Sequence, residues 1–315
     1  MHPAQLLHIV DNTQKGFENM TGQPWHGVVV ASALPFNEDL SVDYDSFAEH
    51  VRWLAANGCS GITPNGSLGE YQCLNPEERA KVVEVAVEAA PEGFSVVPGT
   101  GAYGARESAA WAQQAKDAGA QAILQLPPNA YRTDETIVYD HFKTVAKVGI
   151  PVVAYNNPHD TKTDLSPELL ARMHADGLIV AVKEFSGDVR RIYEIAELAP
   201  ELDVLIGTDD VLLELAIAGA KGWIAGYPNA LPAACVELFN LAVAKDIEKA
   251  LPMYRDLHSL LRWDSKPAFV QAIKLSMDIV GRKGGPCRAP RLPLSPDADA
   301  VVRKDTEKAI ADGYK

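Results

Sequence analysis

Eight short apolar runs, separated by longer segments with helical periodicity, constrain the fold of this chain more than any other feature. The runs occupy residues 27–33, 61–64, 95–98, 122–126, 151–155, 179–183, 204–207 and 222–225. Most are rich in Val, Ile and Leu throughout, which is typical of parallel strands covered on both faces. The intervening helical segments occupy residues 44–57, 76–90, 106–118, 135–148, 167–175, 189–198 and 211–218. This strict strand-then-helix order predicts an α/β fold of the (β/α)8 (TIM) barrel type.

The chain length fits a single barrel with additional helices. A doubly wound open sheet is the alternative, but the chain has no Gly-rich dinucleotide fingerprint. Three more helical stretches, 233–244, 247–262 and 266–280, follow the eighth strand and precede a Pro-rich tail. We therefore expect an N-terminal extension (1–26), a barrel (27–228) and a C-terminal helical region packed on the barrel (229–315).

Charge, cysteine usage and hydropathy exclude several classes of partner and cofactor. The formal net charge of −13 disfavours nucleic acid and anionic membrane surfaces as partners. Four widely spaced cysteines without a CxxC pair predict reduced thiols. No apolar stretch reaches transmembrane length, and residues 1–26 have no long apolar core, so we expect a cytoplasmic protein. No histidine spacing of the HExxH kind predicts a metal site.

Lys183 is the leading catalytic candidate because it ends an unbroken apolar run. Burial of a lysine is costly, and it lowers the amine pKa so that a nucleophilic neutral form becomes accessible. In a barrel the strand C-termini form the active-site face, where Lys183 would meet Tyr155 and Ser67. Such a group suits carbonyl chemistry through a lysine imine, with Tyr155 as general acid and base and Ser67 as a proton relay. The covalent imine on Lys183 would require no other cofactor.

The candidate substrate-binding residues are Gly66, Ser67, Leu68 and Asp209. Loop 66–69 would turn its amides toward a small anion, because its glycines reach backbone conformations that other residues resist. A 2-oxo acid offers both a carbonyl for the lysine and a carboxylate for this loop. Each feature also has a structural explanation. Asp209 and Asp210 are typical of a helix N-terminus, and Glu70 of a structural hydrogen-bond acceptor.

Four motifs, taken together and in order, resemble a known enzyme superfamily. GSLGE (66–70), YNNP (155–158), VKEFSGD (182–188) and GTDD (207–210) are similar to those of the dihydrodipicolinate synthase/N-acetylneuraminate lyase superfamily of Schiff-base enzymes. The resemblance extends over residues 27–294. It implies a (β/α)8 barrel with a C-terminal helical domain, no metal or organic cofactor, and a homo-oligomer, commonly a tetramer.

The resemblance also implies a role for individual residues. Lys183 would form the imine, Tyr155 would act as acid and base, and Ser67 would belong to the proton relay. The amides of Ser67 and Leu68 would hold the substrate carboxylate. The partner would be a small 2-oxo or cyclic 2-imino acid.

Three departures speak against lysine biosynthesis, the pathway that dihydrodipicolinate synthases serve. Those enzymes usually have two adjacent threonines where this chain has Ser67 and Leu68. They place an arginine for a second carboxylate five residues after the catalytic tyrosine, where this chain has Asp160, which would repel it. A tyrosine that reaches the neighbouring subunit's site normally follows the fourth strand, and Tyr131 is displaced from that position.

One subgroup resembles this chain more closely, the Δ1-pyrroline-4-hydroxy-2-carboxylate deaminases of hydroxyproline catabolism. The shared segments are GSxGE, YNNP, SGDxRR (186–191), GxDDVxLE (207–214), 219–232, Lys274-Leu275 and 288–292. The implied reaction yields 2-oxoglutarate semialdehyde and ammonia. Within enzymes the alternative is a pyruvate-dependent aldolase or dihydrodipicolinate synthase itself. From other classes, a non-catalytic ligand-binding barrel and a metal-dependent barrel enzyme are further alternatives.

Overall fold

Eight parallel strands form the centre of the protein in a computed structural model that describes residues 22–128 and 133–315. The strands are β1 (Gly27–Ala31), β2 (Gly61–Thr63), β3 (Ser95–Val96), β4 (Ile123–Gln125), β5 (Val152–Asn156), β6 (Ala181–Glu184), β7 (Asp203–Ile206) and β8 (Gly222–Ala225). Their order in the sheet is β3-β2-β1-β8-β7-β6-β5-β4. Between β3 and β4 the Leu124 amide donates to the Pro98 carbonyl (2.9 Å) and the Thr100 amide to the Leu124 carbonyl (3.0 Å). These bonds close the sheet, and the predicted α/β barrel is confirmed.

The described helices follow the strands as expected. They are α1 (Tyr44–Ala56), α2 (Pro76–Ala89), α3 (Ala105–Asp117), α4 (Glu135–Ala146), α5 (Pro158–Thr161), α6 (Pro167–Ala175), α7 (Arg191–Leu198), α8 (Leu212–Ala218), α9 (Pro232–Val243), α10 (Ile247–Leu261), α11 (Phe269–Ile279) and α12 (Pro296–Ala311). Several of these helices have a side chain that caps their N-terminus. Asn75 and Glu78 form a reciprocal capping box at α2, and the Ser166 hydroxyl accepts from an amide of α6.

The C-terminal tail differs from the prediction. Helix α12 spans 16 residues of the segment that was expected to be a Pro-rich tail. Ser295 caps this helix and Pro296 lies in its first turn, so one of the prolines that suggested a tail starts a helix instead. Val302 and Ala309 are buried on its inner face. None of the helices in residues 22–128 and 133–315 has both the length and the apolarity needed to cross a bilayer.

The strands separate two apolar cores, and this separation determines where the functional side chains point. The larger core lies between barrel and helices, whereas the smaller one fills the barrel and includes Val153, Tyr155, Ala181 and Leu205. Because side chains alternate along a strand, Lys183 shares the inner face with Ala181. Asn156 and Glu184 consequently point outward, toward the helices.

The C-terminal helices are tied to the barrel mouth by a buried ion pair. The Lys274 ammonium on α11 donates to Glu70 Oε1 at 2.9 Å, and both side chains are at most 2% exposed. The other carboxylate oxygen of Glu70 accepts from the Arg288 amide at 3.0 Å. Glu70 thus acts as the structural acceptor that we expected, and it joins the loop after β2 to two segments of the C-terminal region.

Candidate active site

Lys183 and Tyr155 are adjacent on neighbouring strands. They are paired residues in the parallel register of β5 and β6, and their exposed fractions are 5% and 7%. The Lys183 Nζ lies 4.4 Å from the centre of the Tyr155 ring and 5.6 Å from that of Phe185. The structure therefore brings the two strongest sequence candidates together inside the barrel mouth.

The surroundings of Lys183 favour a reactive amine. Burial lowers its pKa, and the negative charges of Asp264 and Asp209 partly oppose this effect. Within the described residues, no carboxylate oxygen lies within 4.0 Å of the ammonium. A lowered pKa raises the fraction of neutral amine at physiological pH, which is the form that attacks a carbonyl or imine carbon.

Tyr155 has the opposite electrostatic character. Burial raises its pKa well above 10, and the negative charges of Asp264 and Asp160 act in the same direction. The Asn157 side-chain amide donates to the phenol oxygen at 3.3 Å, which partly offsets the rise. The resting side chain is thus a neutral phenol, so its first catalytic step would be to donate a proton.

A polar network behind the two strands fixes their ends. The outward Glu184 carboxylate accepts from Asn156 Nδ2 (3.1 Å), from Arg191 Nε (3.1 Å) and from the Ser186 amide (2.7 Å). Arg191 also forms an ion pair with Asp164 at 3.1 Å. This network holds β5 and β6 in register and so fixes the distance between Lys183 and Tyr155. The sequence motifs contain Asn156, Glu184 and Arg191, but we had not assigned them this role.

The loop after β2 differs in detail from the expectation. Its left-handed residues are Asn65 (φ 57°) and Glu70 (φ 54°), whereas Gly66 and Gly69 have ordinary φ angles. Gly69 instead lies close to a neighbouring strand end, because a Cβ there would be in tight contact, 3.1 Å, with the Ser32 carbonyl oxygen. Our explanation of these glycines was therefore wrong in its geometry.

The positions of Ser67 and Leu68 limit how the loop could bind a substrate. Ser67 is half-buried, and its carbonyl accepts from the Glu70 amide (3.1 Å) and from Arg291 Nη2 (3.3 Å). The Leu68 side chain is buried in the outer core. This leaves only the backbone of Leu68 for a ligand, consistent with the predicted use of its amide.

Asp209 is a buried carboxylate with several protein partners. It accepts from Trp223 Nε1 (2.9 Å), from the Gly226 amide (3.2 Å) and from the Tyr227 amide (3.1 Å). Burial raises its pKa well above the usual value, and the charge of Asp264 adds to the shift. These contacts hold the loop after β8, while a contact between Asp209 and substrate stays a prediction.

Asp264 is the residue of this site that we had not predicted. It lies between α10 and α11, where no strand-end pattern marks it, and the Asp209 backbone partly offsets the effect of burial on its pKa. A Cβ placed on Gly226 would be 2.7 Å from Asp264 Oδ1, so the carboxyl covers the end of β8. Its charge affects the pKa values of both Lys183 and Tyr155. The helical extension therefore contributes a carboxyl group to the barrel mouth.

The sequence singled out Asp160 and Tyr131 in the loops, and the structure describes only Asp160. Asp160 on α5 accepts from Asn157 Nδ2 at 2.9 Å and is close enough to Tyr155 for its charge to raise the phenol pKa. Tyr131 lies outside the described residues. Within residues 22–128 and 133–315, no group of three or more His, Cys, Asp or Glu side chains is arranged to hold a metal ion.

Comparison with known proteins gives consistent matches over most of the chain. A profile of the dihydrodipicolinate synthetase family matches residues 24–309. The chain is 34% identical to the 4-hydroxy-tetrahydrodipicolinate synthase of Methanothrix thermoacetophila over 89% of this chain and 95% of that protein. It is 31% identical to an uncharacterized DapA-like lyase of Rhizobium meliloti, over 90% and 95% of the two chains.

Solved structures show the same similarity. Dihydrodipicolinate synthase from Aquifex aeolicus matches with a TM-score of 0.87 and 30% identity, covering 91% of this chain and 98% of that one. YagE, an Escherichia coli prophage protein of the dihydrodipicolinic acid synthase family in complex with pyruvate, matches with a TM-score of 0.84 and 26% identity. That match covers 90% of this chain and 98% of YagE.

Proposed function

Because this chain belongs to the dihydrodipicolinate synthetase family of lyases, we propose that it is a Schiff-base enzyme that deaminates Δ1-pyrroline-4-hydroxy-2-carboxylate. The observation that carries the proposal is the pairing of a buried amine of lowered pKa, Lys183, with a neutral phenol, Tyr155, 4.4 Å from its ring centre. The amine supplies the nucleophile and the phenol supplies the first proton.

The position of Asp160 supports a substrate with one carboxylate. Its negative charge lies near the Tyr155 hydroxyl, where it would repel a second carboxylate of the substrate. The pyrroline acid has a single carboxylate, which the amides of Ser67 and Leu68 would hold. A hydroxylated ring carbon can approach Asp160 without this repulsion.

The reaction begins with ring opening. The neutral Lys183 amine attacks C2 of the cyclic imine, and Tyr155 donates its proton to the ring nitrogen as the C2–N bond breaks. The result is an imine between C2 and Lys183, with the former ring nitrogen as a free amine on C5. The phenolate of Tyr155 is then stabilised by the positive charge of the adjacent imine.

The imine next activates the neighbouring carbon. Tyr155 phenolate takes a proton from C3, and the electron pair of that bond forms an enamine. The enamine expels the 4-hydroxyl, which leaves as water. Later isomerisation and hydrolysis at C5 and C2 release ammonia, 2-oxoglutarate semialdehyde and free Lys183. Overall, one water is consumed and one ammonia is released for each substrate.

The proposal is tested by turnover of Δ1-pyrroline-4-hydroxy-2-carboxylate, followed through a coupled semialdehyde dehydrogenase. We expect saturable formation of the semialdehyde together with equimolar ammonia. Borohydride added during turnover should reduce the imine and attach the substrate skeleton to Lys183, as detected by peptide mass spectrometry. If the pure enzyme forms neither semialdehyde nor ammonia, the deaminase proposal is refuted.

A pyruvate-dependent synthase is the second candidate, because several relatives carry the name 4-hydroxy-tetrahydrodipicolinate synthase. It predicts that pyruvate alone gives a borohydride-trapped adduct and that the adduct condenses with an aldehyde. We expect condensation to be slow here when the aldehyde carries a carboxylate of its own, because the negative charge of Asp160 acts near Tyr155. Fast condensation combined with absent deamination would establish the synthase instead.

A Tyr155→Phe variant separates imine formation from proton transfer. It retains the ring that packs against Lys183 but lacks the phenol proton. We expect kcat for deamination to fall by about 10²–10⁴-fold, while borohydride still traps pyruvate on Lys183. A variant with near wild-type kcat would exclude Tyr155 as the acid and base.

The proposal also includes the oligomeric state of the enzyme and its location in the cell. We propose that the enzyme is a homo-oligomer, with a tetramer as the family-based expectation, and that it acts in the cytoplasm. Sedimentation analysis of the full chain tests the first statement. The covalent imine on Lys183 is the only prosthetic chemistry that the proposed mechanism requires.

A further inference from the structure

Asp264 occupies a position that the proposed mechanism has not yet used. The carboxyl lies on the loop between α10 and α11, away from every barrel strand, yet it reaches the mouth at the end of β8. The Asp209 backbone is close enough to lower the pKa of the carboxyl against the effect of burial. The residue as a whole is half-buried, and its carboxyl is buried deeply enough to raise its pKa.

The charges around Asp264 come from several elements. Lys183 on β6 and Tyr155 on β5 interact with it electrostatically, as do Asp209, Asp210 and Tyr227 in the loops after β7 and β8. Lys183 is the only cation in this set, and it forms no ion pair within 4.0 Å. A substrate imine on Lys183 would therefore form within the electrostatic influence of the carboxyl, among groups that are otherwise acids and phenols.

The protonation state of Asp264 matches a donor role. Burial raises its pKa to about 7, although the positive charge of Lys183 acts against this shift. A carboxyl with this pKa is protonated in a substantial fraction of molecules near neutral pH. General acids work best when their pKa lies near the operating pH.

We propose that Asp264 is a catalytic acid that protonates the departing 4-hydroxyl group, a role distinct from that of Tyr155 at C3. This inference rests on the proposed deaminase function and adds a residue to it. Hydroxide is a poor leaving group, so elimination from the enamine needs a proton donor on the oxygen. Tyr155 has just taken the proton of C3 and is assigned to that carbon, so we assign protonation of the oxygen on C4 to a second group.

The elimination step balances without an external reagent. The enamine electrons form the C3–C4 double bond, the C4–O bond breaks, and the C2 imine on Lys183 re-forms. The oxygen takes the proton of the Asp264 carboxyl and leaves as water, so Asp264 becomes a carboxylate. Nothing is oxidised or reduced, and Asp264 regains its proton from solvent before the next cycle.

Asp264→Asn is the central test, because the amide has nearly the same shape but no acidic proton. We expect borohydride to trap substrate on Lys183 as in the wild type, while kcat for deamination falls about 100-fold or more. The wild-type kcat should decline as pH rises through the pKa of the acid, because only the protonated carboxyl can donate. This decline should be absent in Asp264→Asn.

A substrate with fluorine in place of the 4-hydroxyl distinguishes an acid role of Asp264 from a purely structural one. If the role were structural, the kcat defect of Asp264→Asn would be the same with both leaving groups. Fluoride is a much weaker base than hydroxide and leaves without a proton. We therefore expect the defect of Asp264→Asn to shrink to less than about tenfold with the fluoro analogue. Asp246→Asn is the matched control, because Asp246 caps α10 on the same helical region and Asn caps equally well.

The outcomes distinguish this inference from the proposed function. Loss of the trapped adduct in Asp264→Asn, or an equal defect with both leaving groups, would overturn the acid role and indicate a structural one. A kcat within threefold of wild type would also overturn it. If the wild type releases ammonia but Asp264→Asn is unimpaired, only this inference fails. If the wild type does not deaminate the pyrroline, both fail.

Discussion

Lys183→Ala is expected to leave less than about a thousandth of the wild-type kcat for deamination. The substitution removes the amine that is proposed to form the imine, and without the imine C3–H is not acidic enough for Tyr155 to deprotonate. The ring-opening step would also lose its nucleophile. Turnover is measured with the coupled dehydrogenase assay, and the trapped adduct by peptide mass spectrometry.

Two controls sharpen this experiment. Lys183→Arg keeps the positive charge but cannot form the imine under these conditions, so we expect the same loss. Lys249→Ala alters an exposed lysine on α10 and should leave kcat unchanged. Residual activity of Lys183→Ala above about a thousandth of wild type would contradict a mechanism through the imine.

At position 183 we expect the residue required for activity to lower the stability of the folded protein. The free energy of folding includes the cost of burying an amine that has no close ion pair within the described residues. Lys183→Met replaces this amine with an apolar side chain of similar length. We expect the inactive Lys183→Met variant to be at least as stable as the wild type in urea denaturation, as is common for catalytic groups.

Lys274→Met is expected to cause the largest loss of stability. It leaves the Glu70 carboxylate buried with the Arg288 amide but without its ammonium partner. Removing one partner of a buried ion pair costs about 3–5 kcal/mol, because the remaining charge is uncompensated. The unfolding free energy is measured by urea denaturation of wild type and variant at the same protein concentration.

The matched variant Lys249→Met removes a lysine whose side chain is 73% exposed and paired with Asp246. We expect almost no change there, because water screens exposed pairs. Adding Glu70→Gln to Lys274→Met should restore part of the lost stability, since the unpaired charge is gone. Equal effects of Lys274→Met and Lys249→Met would show that the buried pair contributes little.

Lys274→Met should also affect substrate binding. Glu70 holds the loop whose Ser67 and Leu68 amides are proposed to bind the carboxylate. When its partner is lost, the loop gains alternative conformations, and KM should rise more than kcat falls.

The parts of this molecule that periodic patterns encode were predictable from sequence. Parallel strands buried on both faces are continuous apolar runs, so their C-terminal ends, including Tyr155 and Lys183, could be located along the chain. Helix α12 was missed because half of its residues are polar and it follows several prolines, and Pro296 was interpreted as part of a tail.

The rest of the site depends on contacts that no local pattern encodes. Asp264 lies in a loop between two helices, and its approach to Gly226 follows only from how α10 and α11 pack on the barrel. The role of Glu184 follows from strand alternation, which turns it outward toward Arg191 while Lys183 points inward. Predicting these contacts requires the tertiary arrangement as well as the order of elements.

The distance in sequence between Glu70 and Lys274 sets a limit on when the enzyme can mature during its synthesis. Their bond joins residues 204 positions apart. At about 5–20 residues per second, a ribosome needs roughly 10–40 s to extend the chain from one to the other. Throughout that interval the nascent loop has no partner for its buried carboxylate, so the carboxylate-binding amides cannot adopt their final arrangement. A ribosome-bound chain that stops before α11 should therefore contain strands and Lys183 yet bind no substrate.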